Sequence, residues 1–514
     1  MDKILGIELG STRIKSVLID GNATVIATGS YEWENTLVDG LWSYSLDEVE
    51  HGIQSSYIAL ADDYSAKFGE PLTELSAIGV SAMMHGYLAF DSEDNLLVPF
   101  RTWRNTNTET AARELTDLFK FNVPMRWSVA HYYQAVLDAE VHVRDVAFLT
   151  TLAGYVHYKL SGKKVLGVGD ASGMFPIKDG AYNGEMLDKF KQLLTNNGIT
   201  ADFTTILPDI LSAGECAGSL TAGGALWLDP TGSLAPGCIL CPPEGDAGTG
   251  MVATNSITPR TANVSAGTSA FLMAVLERDL AGCYEEIDVV TTPHGAPVAM
   301  VHVNNFASEI TAWTNLFEEV IALGGGNASR GELFDKLYRI SADADSDVGG
   351  LVGYNFLAGE PIAGVSSGAP LLMRSPEGRL TLPNFMKMQI YSALGTLAIG
   401  CEMLGKENVE LDSVCGHGGF FKTPFVGQSA MSAAVKAPVT VMKNAGEGGA
   451  FGIALLALLA YSKGQSLEAF LDGIFGDAEK TTVSADESEK RSFAAFMEKY
   501  KRGIALERLA SEVI

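Results

Sequence analysis

The amino-acid sequence predicts an α/β protein made of two duplicated halves. A chain of 514 residues is longer than one hydrophobic core ordinarily serves, which favours two domains of about 250 residues each. Both halves open with three short apolar runs separated by turns, the pattern of a strand meander. Both then reach, after a helical stretch, a buried strand that ends in a corner containing His and Gly. We therefore predict domains over residues 1–255 and 256–514.

The predicted strands occur in the same order in the two halves. In open α/β sheets, ligands bind outside the carboxyl ends of the strands, so the corners there are expected to face one another across a cleft. The predicted strands cover residues 4–7, 14–19, 25–27 and 77–81 in the first half, and residues 261–264, 270–275, 298–303 and 411–415 in the second.

The remaining segments carry helix signals. The apolar stretch 450–461 is well short of the ~20 residues that span a bilayer, and it predicts a buried helix. Apolar residues at 493, 496, 497, 500 and 504 follow the spacing of one helical stripe, which predicts a packed C-terminal helix. Residues 161–209 are expected to form loops around short helices and show no recognisable chemistry.

The composition excludes several classes of function. With 62 acidic and 36 basic residues the net charge is -26, and no basic run provides the patch that nucleic acid or an anionic membrane needs. The N-terminus enters a strand pattern at once and leaves no room for a signal peptide, so we expect a cytoplasmic protein. Cys238 and Cys241 form a CxxC without the second pair that a zinc site needs.

Three similar turns are the main functional signal. Residues 8–12 read Glu-Leu-Gly-Ser-Thr, residues 244–250 read Glu-Gly-Asp-Ala-Gly-Thr-Gly, and residues 265–269 read Ser-Ala-Gly-Thr-Ser. Each lies between apolar runs and predicts a hairpin whose backbone amides can close on phosphate oxygens. One such turn alone is typical of an ordinary hairpin, whereas the repetition around Asp246 favours an ATP-dependent phosphotransferase.

Seven motifs follow one another along the chain: GIELGSTRIKSVLID, SAMMHG, LTTLAGYVHYKLSGKKVLGVGDASGMF, EGDAGTGM, SAGTSAFL, GHGGFFKTPFVGQSAMSAAVKAPV and AGEGGAFGIALLA. This ordered set resembles the FGGY family of carbohydrate kinases, within the actin-like, ribonuclease-H-like ATPase superfamily. The last motifs are most similar to ketopentose kinases of the ribulokinase and xylulokinase type. The chain departs from the family where Glu8 replaces the usual Asp, and where Asn105 and Asn107 replace the Asp and Arg of a W-x-D-x-R segment.

The resemblance implies two ribonuclease-H-like domains around a central cleft, with ATP and Mg²⁺ as cofactors and a small sugar as substrate. The expected reaction is transfer of the γ-phosphate to the 5-hydroxyl of a ketopentose such as L-ribulose or D-xylulose. Another sugar or polyol remains an alternative, as does an ATPase of the actin or chaperone type without a sugar. The expected assembly is a homodimer.

Asp246 matches the catalytic base, because a carboxylate ionised at pH 7 can accept the sugar hydroxyl's proton. Glu8 and Asp246 are the expected Mg²⁺ ligands, Glu8 through water. The alternatives are a surface-turn Asp246 and a solvent-facing, edge-strand Glu8.

The other implied residues bind ATP or the sugar. Several have an alternative without a ligand. Lys15 equally fits a solvated strand face, Gly418 and Gly419 fit an ordinary helix N-terminus, and His85 fits a histidine of the core. Substitutions at Asn105 and Asn107 are expected to shift sugar preference. The expected ATP contacts are Gly10, Ser11, Thr12, Lys15, Gly267, Thr268, Ser269, Gly418 and Gly419, and the expected sugar contacts are Met84, His85, Trp103, Arg104 and Asp246.

Overall fold

A computed structural model describes residues 1–442, 448–476 and 478–513. These residues fold into two compact units, the first formed by 1–257, 283–298 and 448–476, and the second by 258–282, 299–442 and 478–513. The predicted domains 1–255 and 256–514 differ from these units mainly in two segments, 283–298 and 448–476, which pack with the first unit. The functions assigned to the ranges 1–255 and 256–514 stay predictions.

The strands of the described residues range from two to eight residues in length. In chain order they are β1 Ile4–Leu9, β2 Arg13–Ile19, β3 Val25–Glu32, β4 Thr36–Val38, β5 Leu41–Ser43, β6 Ala77–Ala82, β7 Leu88–Phe90, β8 Phe148–Thr150, β9 Val165–Gly167, β10 Ile177–Lys178, β11 Ala181–Tyr182, β12 Asp209–Leu211, β13 Ile239–Leu240, β14 Glu244–Gly245, β15 Thr261–Ala266, β16 Ala270–Val275, β17 Ile287–Thr291, β18 Pro297–Val303, β19 Leu351–Tyr354, β20 Leu371–Arg374, β21 Ser413–His417, β22 Val439–Met442 and β23 Lys480–Val483.

The helices complete both units. They are α1 Leu46–Phe68, α2 Glu109–Phe119, α3 Ser128–Leu137, α4 Leu152–Ser161, α5 Val168–Ala171, α6 Gly184–Asn196, α7 Ala222–Leu228, α8 Asp246–Ala253, α9 Ser308–Leu323, α10 Arg330–Ile340, α11 Leu382–Lys406, α12 Val426–Val435, α13 Gly448–Ser462, α14 Leu467–Phe475 and α15 Glu487–Val513.

The sheet of the first unit runs in the order β13-β6-β1-β2-β3, with β14 also pairing with β6. The antiparallel β1, β2 and β3 form the predicted meander. In register, Leu9 of β1 lies beside Ala82 of β6, and Ala82 lies beside Gly245 of β14. Because these three strands are parallel, the segments that follow them leave the same edge of the sheet, which places Gly10, Met84 and Asp246 in one neighbourhood.

Helix α13 packs closely on this sheet. A Cβ at Gly6 of β1 would overlap the Ala450 carbonyl oxygen, and one at Gly452 would overlap that of Thr249, so glycine permits the approach at both positions. The buried helix predicted at residues 450–461 is confirmed. Within the described residues no single helix is long and apolar enough to cross a membrane. Helices α13 and α14, which meet at a sharp bend, reach that length and apolar composition only when taken together.

The second unit repeats the arrangement with strand order β18-β16-β15-β21-β22-β23. Strands β15 and β16 form an antiparallel hairpin, and β21 runs parallel to β15 with Ser265 beside His417. The turn at Gly267 and the corner at Gly418 therefore follow neighbouring strand ends. The predicted C-terminal helix is confirmed as α15, with Phe493, Phe496, Met497, Tyr500 and Ile504 buried.

The segment 161–209 is more ordered than predicted. It contains the thirteen-residue helix α6 and strand β9, which pairs in parallel with β12. The one-turn helix α5 follows β9 directly and carries a buried carboxylate, that of Asp170. Sequence reasoning did not indicate this buried carboxylate, and a chemical role for the segment is not tested.

Candidate active site

Asp246 is the first residue of helix α8, directly after strand β14. The hairpin predicted for residues 244–250 is wrong, because the residues that follow Asp246 form a helix that packs on α13, and this packing overrides the strand-like sequence. The Met84 amide donates to Asp246 Oδ1 at 3.3 Å. Burial raises the pKa of Asp246 to about 6, while the Met84 and Ala247 amides oppose that rise. The carboxylate is therefore ionised at pH 7 and close to its titration range.

Two further buried carboxylates, those of Glu244 and Asp170, lie near Asp246. Glu244 accepts hydrogen bonds from the backbone N–H groups of Gly169, at 3.3 Å, and Asp170, at 2.9 Å. Asp170 Oδ2 accepts a bond from the Thr151 hydroxyl at 2.6 Å. Burial raises the pKa of both carboxyls, and the neighbouring charge adds to the rise, Asp246 acting on Asp170 and Asp170 on Glu244. Sequence reasoning missed Asp170, although it lies within the motif at residues 149–175, because no site residue was expected in that motif.

Glu8 lies in β1 directly opposite Lys15 of β2. Its Oε2 accepts the backbone N–H of Ala450 at 3.2 Å, so the carboxylate lies at the N-terminus of α13, where the helix dipole favours negative charge. Burial and the charge of Asp246 raise the pKa of Glu8 to about 7, whereas Lys15 and the helix amides lower it. Lys15 thus acts electrostatically on Glu8, and its contact with phosphate stays a prediction.

Glu8, Asp170, Glu244 and Asp246 form what we call the carboxylate cluster. The described residues contain no group of three or more His, Cys, Asp or Glu side chains arranged to hold a metal ion. Mg²⁺ is commonly bound by one or two carboxylates together with substrate phosphates and water, so the oxygen donors of Glu8 and Asp246 fit this ion. Both ligand assignments stay predictions. Cys238 and Cys241 are free thiols.

His85 follows β6 in a left-handed conformation with φ 71°. Its ring is buried, stacks on Trp127 at 6.3 Å and places Nδ1 3.2 Å from the Gly173 carbonyl oxygen. Burial and the nearby Arg126 hold the pKa of His85 well below its usual value, so the ring is neutral at pH 7. Because a carbonyl oxygen only accepts, Nδ1 must donate, which makes Nε2 an acceptor suited to a sugar hydroxyl.

The segment 101–105 overlaps the predicted sugar-binding residues 103–107, is called the sugar segment after that prediction, and begins beside the His85 loop. Tyr87 and Arg101 exchange backbone hydrogen bonds of 2.8 and 3.2 Å. Trp103 is 38% exposed. The Arg104 guanidinium lies 4.2 Å from the Trp42 ring centroid and donates to Asn35 Oδ1 at 2.9 Å. The proposed sugar contacts of Trp103 and Arg104 stay predictions.

Asn105 is buried, whereas Asn107 is exposed. Asn105 Oδ1 accepts the Trp42 N–H at 2.8 Å, and Nδ2 donates to the Trp42 and Thr102 carbonyls at 2.9 and 3.1 Å. These bonds engage both ends of the amide with the protein backbone. The structure thus gives Asn105 a role in holding β5, different from the expected influence on sugar preference.

The turn Gly10 to Thr12 is the first of the two turns predicted to bind phosphate, and we call them the first and second phosphate turns after that prediction. It is closed by a bond from the Gly10 N–H to the Arg13 carbonyl at 3.0 Å. Its carbonyls accept from two aromatic side chains, the Trp33 indole on Gly10 at 2.7 Å and the Tyr44 hydroxyl on Ser11 at 2.6 Å. The two rings stack with centroids 4.2 Å apart. We call Trp33 and Tyr44 the aromatic brace.

In the second unit, the second phosphate turn, Gly267 to Ser269, is held by backbone amides. Phe306 donates to the Thr268 carbonyl at 2.9 Å, and Ala307 donates to the Gly267 carbonyl at 3.2 Å. Nearby, Gly418 has φ 106° with its Cα against the Ala266 backbone, a position that requires glycine. Gly419 begins a 3-10 turn and faces open space where a side chain would project.

Comparison with known proteins identifies the family. The N-terminal domain model of the FGGY family of carbohydrate kinases matches residues 3–228, and the C-terminal domain model matches residues 262–461. The chain belongs to the FGGY family of carbohydrate kinases. The two-domain α/β fold and the sugar phosphotransferase activity predicted from the sequence are thereby confirmed.

Among curated proteins, the chain is 22% identical to the xylulose kinase of Haemophilus influenzae, over 96% of this chain and 98% of that one. A match to the Bacillus subtilis xylulose kinase, at 24% identity, spans 43% of this chain and only 44% of that protein.

Two solved structures from Lactobacillus acidophilus share the fold over the full length of both chains, each at 16% identity. They are a ligand-bound xylulose kinase with a TM-score of 0.81 and a gluconate kinase with a TM-score of 0.80. Similarity of this kind establishes the fold and leaves the sugar open.

Proposed function

We propose that this protein transfers the γ-phosphate of ATP to the 5-hydroxyl of a ketopentose, with D-xylulose as the preferred substrate. The observation that carries the proposal is the position of Asp246, a carboxylate with a raised pKa that is tied by the Met84 amide to the loop bearing His85. The xylulose kinases among its relatives support the choice of sugar.

In the proposed reaction, Asp246 accepts the proton of the sugar 5-hydroxyl as that oxygen bonds to the γ-phosphorus. The bond from this phosphorus to the β,γ-bridging oxygen breaks, and ADP leaves. Phosphoryl transfer depends mainly on positioning and charge stabilisation, so a base that accepts the proton late is sufficient. The Met84 N–H holds Oδ1 and thereby orients the carboxylate toward the substrate. Mg²⁺, when bound, supplies positive charge to the phosphate oxygens.

The charge of the site favours a neutral sugar. Asp246 is ionised at pH 7, and burial, with a smaller contribution from neighbouring carboxylates, raises the pKa values of Glu8, Asp170 and Glu244, so this environment disfavours negative charge. A sugar acid such as D-gluconate would bring another carboxylate into this field, which costs binding energy. A ketopentose has no such charge.

A substrate panel tests the proposal. Purified protein with Mg-ATP would be assayed for ADP formation with D-xylulose, L-ribulose, glycerol and D-gluconate. We expect kcat/KM for D-xylulose to exceed the others by at least about tenfold, or ~1.4 kcal/mol in transition-state binding. A preference for D-gluconate would contradict the charge argument, and sugar-independent ATP hydrolysis would favour the actin or chaperone type. The homodimer and the cytoplasmic location stay predictions.

A further inference from the structure

The hairpin formed by β4 and β5 connects the sugar segment to the first phosphate turn. All three residues of β4 are exposed, and two three-residue strands are only marginally stable by themselves. The position of this hairpin must therefore be fixed by its contacts with the rest of the first unit.

One set of contacts comes from the sugar segment and holds Trp42. The Thr102 N–H donates to the Trp42 carbonyl at 3.1 Å, and the Asn105 amide bonds to both the N–H and the carbonyl of Trp42. The Arg104 guanidinium covers the Trp42 ring. Three residues of one segment thus fix a single residue of β5.

The other set of contacts reaches the first phosphate turn. Tyr44, two residues after Trp42, donates its hydroxyl to Ser11 and stacks on Trp33, which donates its indole N–H to Gly10 and its backbone N–H to Thr12 at 3.2 Å. Trp33 and Tyr44 are only 3% and 2% exposed. A displacement of Trp42 is therefore passed through a closely packed pair of rings to the turn.

We propose that Asn105 and Tyr44 are positioning residues that couple the sugar segment to the first phosphate turn. The inference rests on the proposed assignment of Gly10 to Thr12 to the nucleotide phosphates. Sugar that orders residues 103–105 fixes the hairpin, and the hairpin fixes the turn, so sugar and nucleotide each strengthen binding of the other.

The coupling also accounts for the amide at position 105. An aspartate could accept the Trp42 N–H, but it could not donate to the Trp42 carbonyl and would place negative charge against two carbonyl oxygens. Asparagine pairs with both backbone groups of Trp42, as a neighbouring strand residue would. With asparagine in place of the family's usual Asp, position 105 loses a negative charge and gains a hydrogen bond to the Trp42 carbonyl.

The test compares Asn105→Asp with Asn22→Asp, and Tyr44→Phe with Tyr64→Phe. Asn22 is an exposed residue of the turn between β2 and β3, and the Tyr64 hydroxyl, near the C-terminal end of α1, bonds to Glu70, so each control repeats the chemical change elsewhere. The Kd of ADP would be measured with Mg²⁺, with and without saturating D-xylulose, and melting temperature would be recorded for every variant.

We expect D-xylulose to tighten ADP binding at least about fivefold in the original protein, within the usual range of coupling between sites. Asn105→Asp and Tyr44→Phe should each reduce this factor at least threefold, while both controls keep it. Tyr44→Phe retains the stacked ring, so it remains informative if Asn105→Asp fails to fold.

Equal coupling in Tyr44→Phe and Tyr64→Phe, or no coupling in the original protein, would overturn the inference. If D-xylulose is not phosphorylated, the proposed function fails separately. In that case the Kd of ADP alone, weaker in Tyr44→Phe than in Tyr64→Phe, still tests whether the brace positions the turn.

Discussion

The two phosphate turns have the same place in their sheets but different supports. Each joins two antiparallel strands, the first of which has a parallel neighbour, β6 in the first unit and β21 in the second. The carbonyls of the first turn accept hydrogen bonds from the side chains of Trp33 and Tyr44. Those of the second turn accept them from the backbone N–H groups of residues 306 and 307. The duplication therefore extends to the strands and turns but not to what holds the turns in place.

Behind the second turn lies a buried polar network. Glu360 Oε2 accepts the N–H groups of Asn304 and Asn305 at 3.0 and 3.2 Å and the Asn305 side-chain amide at 3.1 Å. The Asn355 amide donates to the carbonyls of Asn305 and Phe306 at 3.1 and 2.8 Å. The first turn is supported by stacked rings and the second by buried hydrogen bonds. Loss of one hydrogen-bonding group should therefore raise the KM for ATP less at the first turn than at the second.

The largest effect on activity is expected from a substitution outside both turns, at Asp246. Asp246→Asn keeps the size of the side chain and an oxygen for the Met84 N–H, but an amide cannot take the hydroxyl proton. We expect kcat to fall by ~10²–10⁴ while the KM values for ATP and sugar change little, as for loss of a positioned base. Steady-state kinetics with D-xylulose measures this. Turnover within a few-fold of the original protein would remove Asp246 from the role of base.

The same carboxylate predicts the pH dependence. The pKa of Asp246 is raised to about 6, so the basic form that accepts a proton is present above that pH and is lost as pH falls through it. We expect kcat/KM to fall about fivefold between pH 6 and pH 5. The residual rate of Asp246→Asn should lack this step. A step of equal size in the variant would assign the titration to Glu8, Asp170 or Glu244.

The second turn can be tested through Glu360. Glu360→Ala leaves the Asn304 N–H and two buried N–H groups of Asn305 without this acceptor, at ~1–3 kcal/mol for each buried group. We expect a lower melting temperature and a KM for ATP raised about tenfold, ~1.4 kcal/mol, with the KM for sugar unchanged.

Glu360→Gln provides the matched comparison. Burial raises the pKa of Glu360 to about 7, so the charge itself is not favoured at this site. Glutamine retains the acceptor oxygen without that charge and should behave like the original protein. If Ala and Gln raise the KM for ATP equally, the second turn depends on the charge rather than on the hydrogen bonds.

The smallest effect is expected at the first turn from Trp33→Phe. This change removes the indole N–H from the Gly10 carbonyl but keeps a ring against Tyr44 and the backbone bond to Thr12. A single hydrogen bond is worth ~0.5–1.5 kcal/mol, so the KM for ATP should rise about threefold. Trp227→Phe, a partly buried indole on α7, is the control. A rise as large as that of Glu360→Ala would show that the two turns do not differ in sensitivity.

Local patterns predicted eight of the strands, because apolar runs and the turns between them are encoded within a few residues, but most of the shorter strands were not predicted. The meander at β1 to β3 and the strand ends at Leu9 and Ala82 follow from such runs. The position of Asp246 after a strand end follows from its motif. Its helix did not, because packing of α8 on α13, some 200 residues later in the chain, decides the local structure.

The supports of the site could not be predicted because they join distant parts of the chain. Asp170 reaches the carboxylate cluster through bonds between α5 and Glu244, 74 residues apart. The sequence alone indicates that Asn105 is a changed sugar contact. In the structure its amide makes hydrogen bonds to Trp42, 63 residues away. Trp33 and Tyr44 have no spacing that would mark them as neighbours of Gly10 and Ser11. Long-range hydrogen bonds of this kind leave no periodic signal in the sequence.

Product analysis tests the central claim most directly. Purified protein would be incubated with Mg-ATP and D-xylulose, and the products would be followed by phosphorus NMR alongside Asp246→Asn. We predict one new phosphomonoester resonance, from phosphate on the 5-hydroxyl, that grows in step with ADP and is reduced at least about hundredfold in rate by the substitution. ADP and inorganic phosphate without a sugar phosphate, or equal ester formation by Asp246→Asn, would contradict the account.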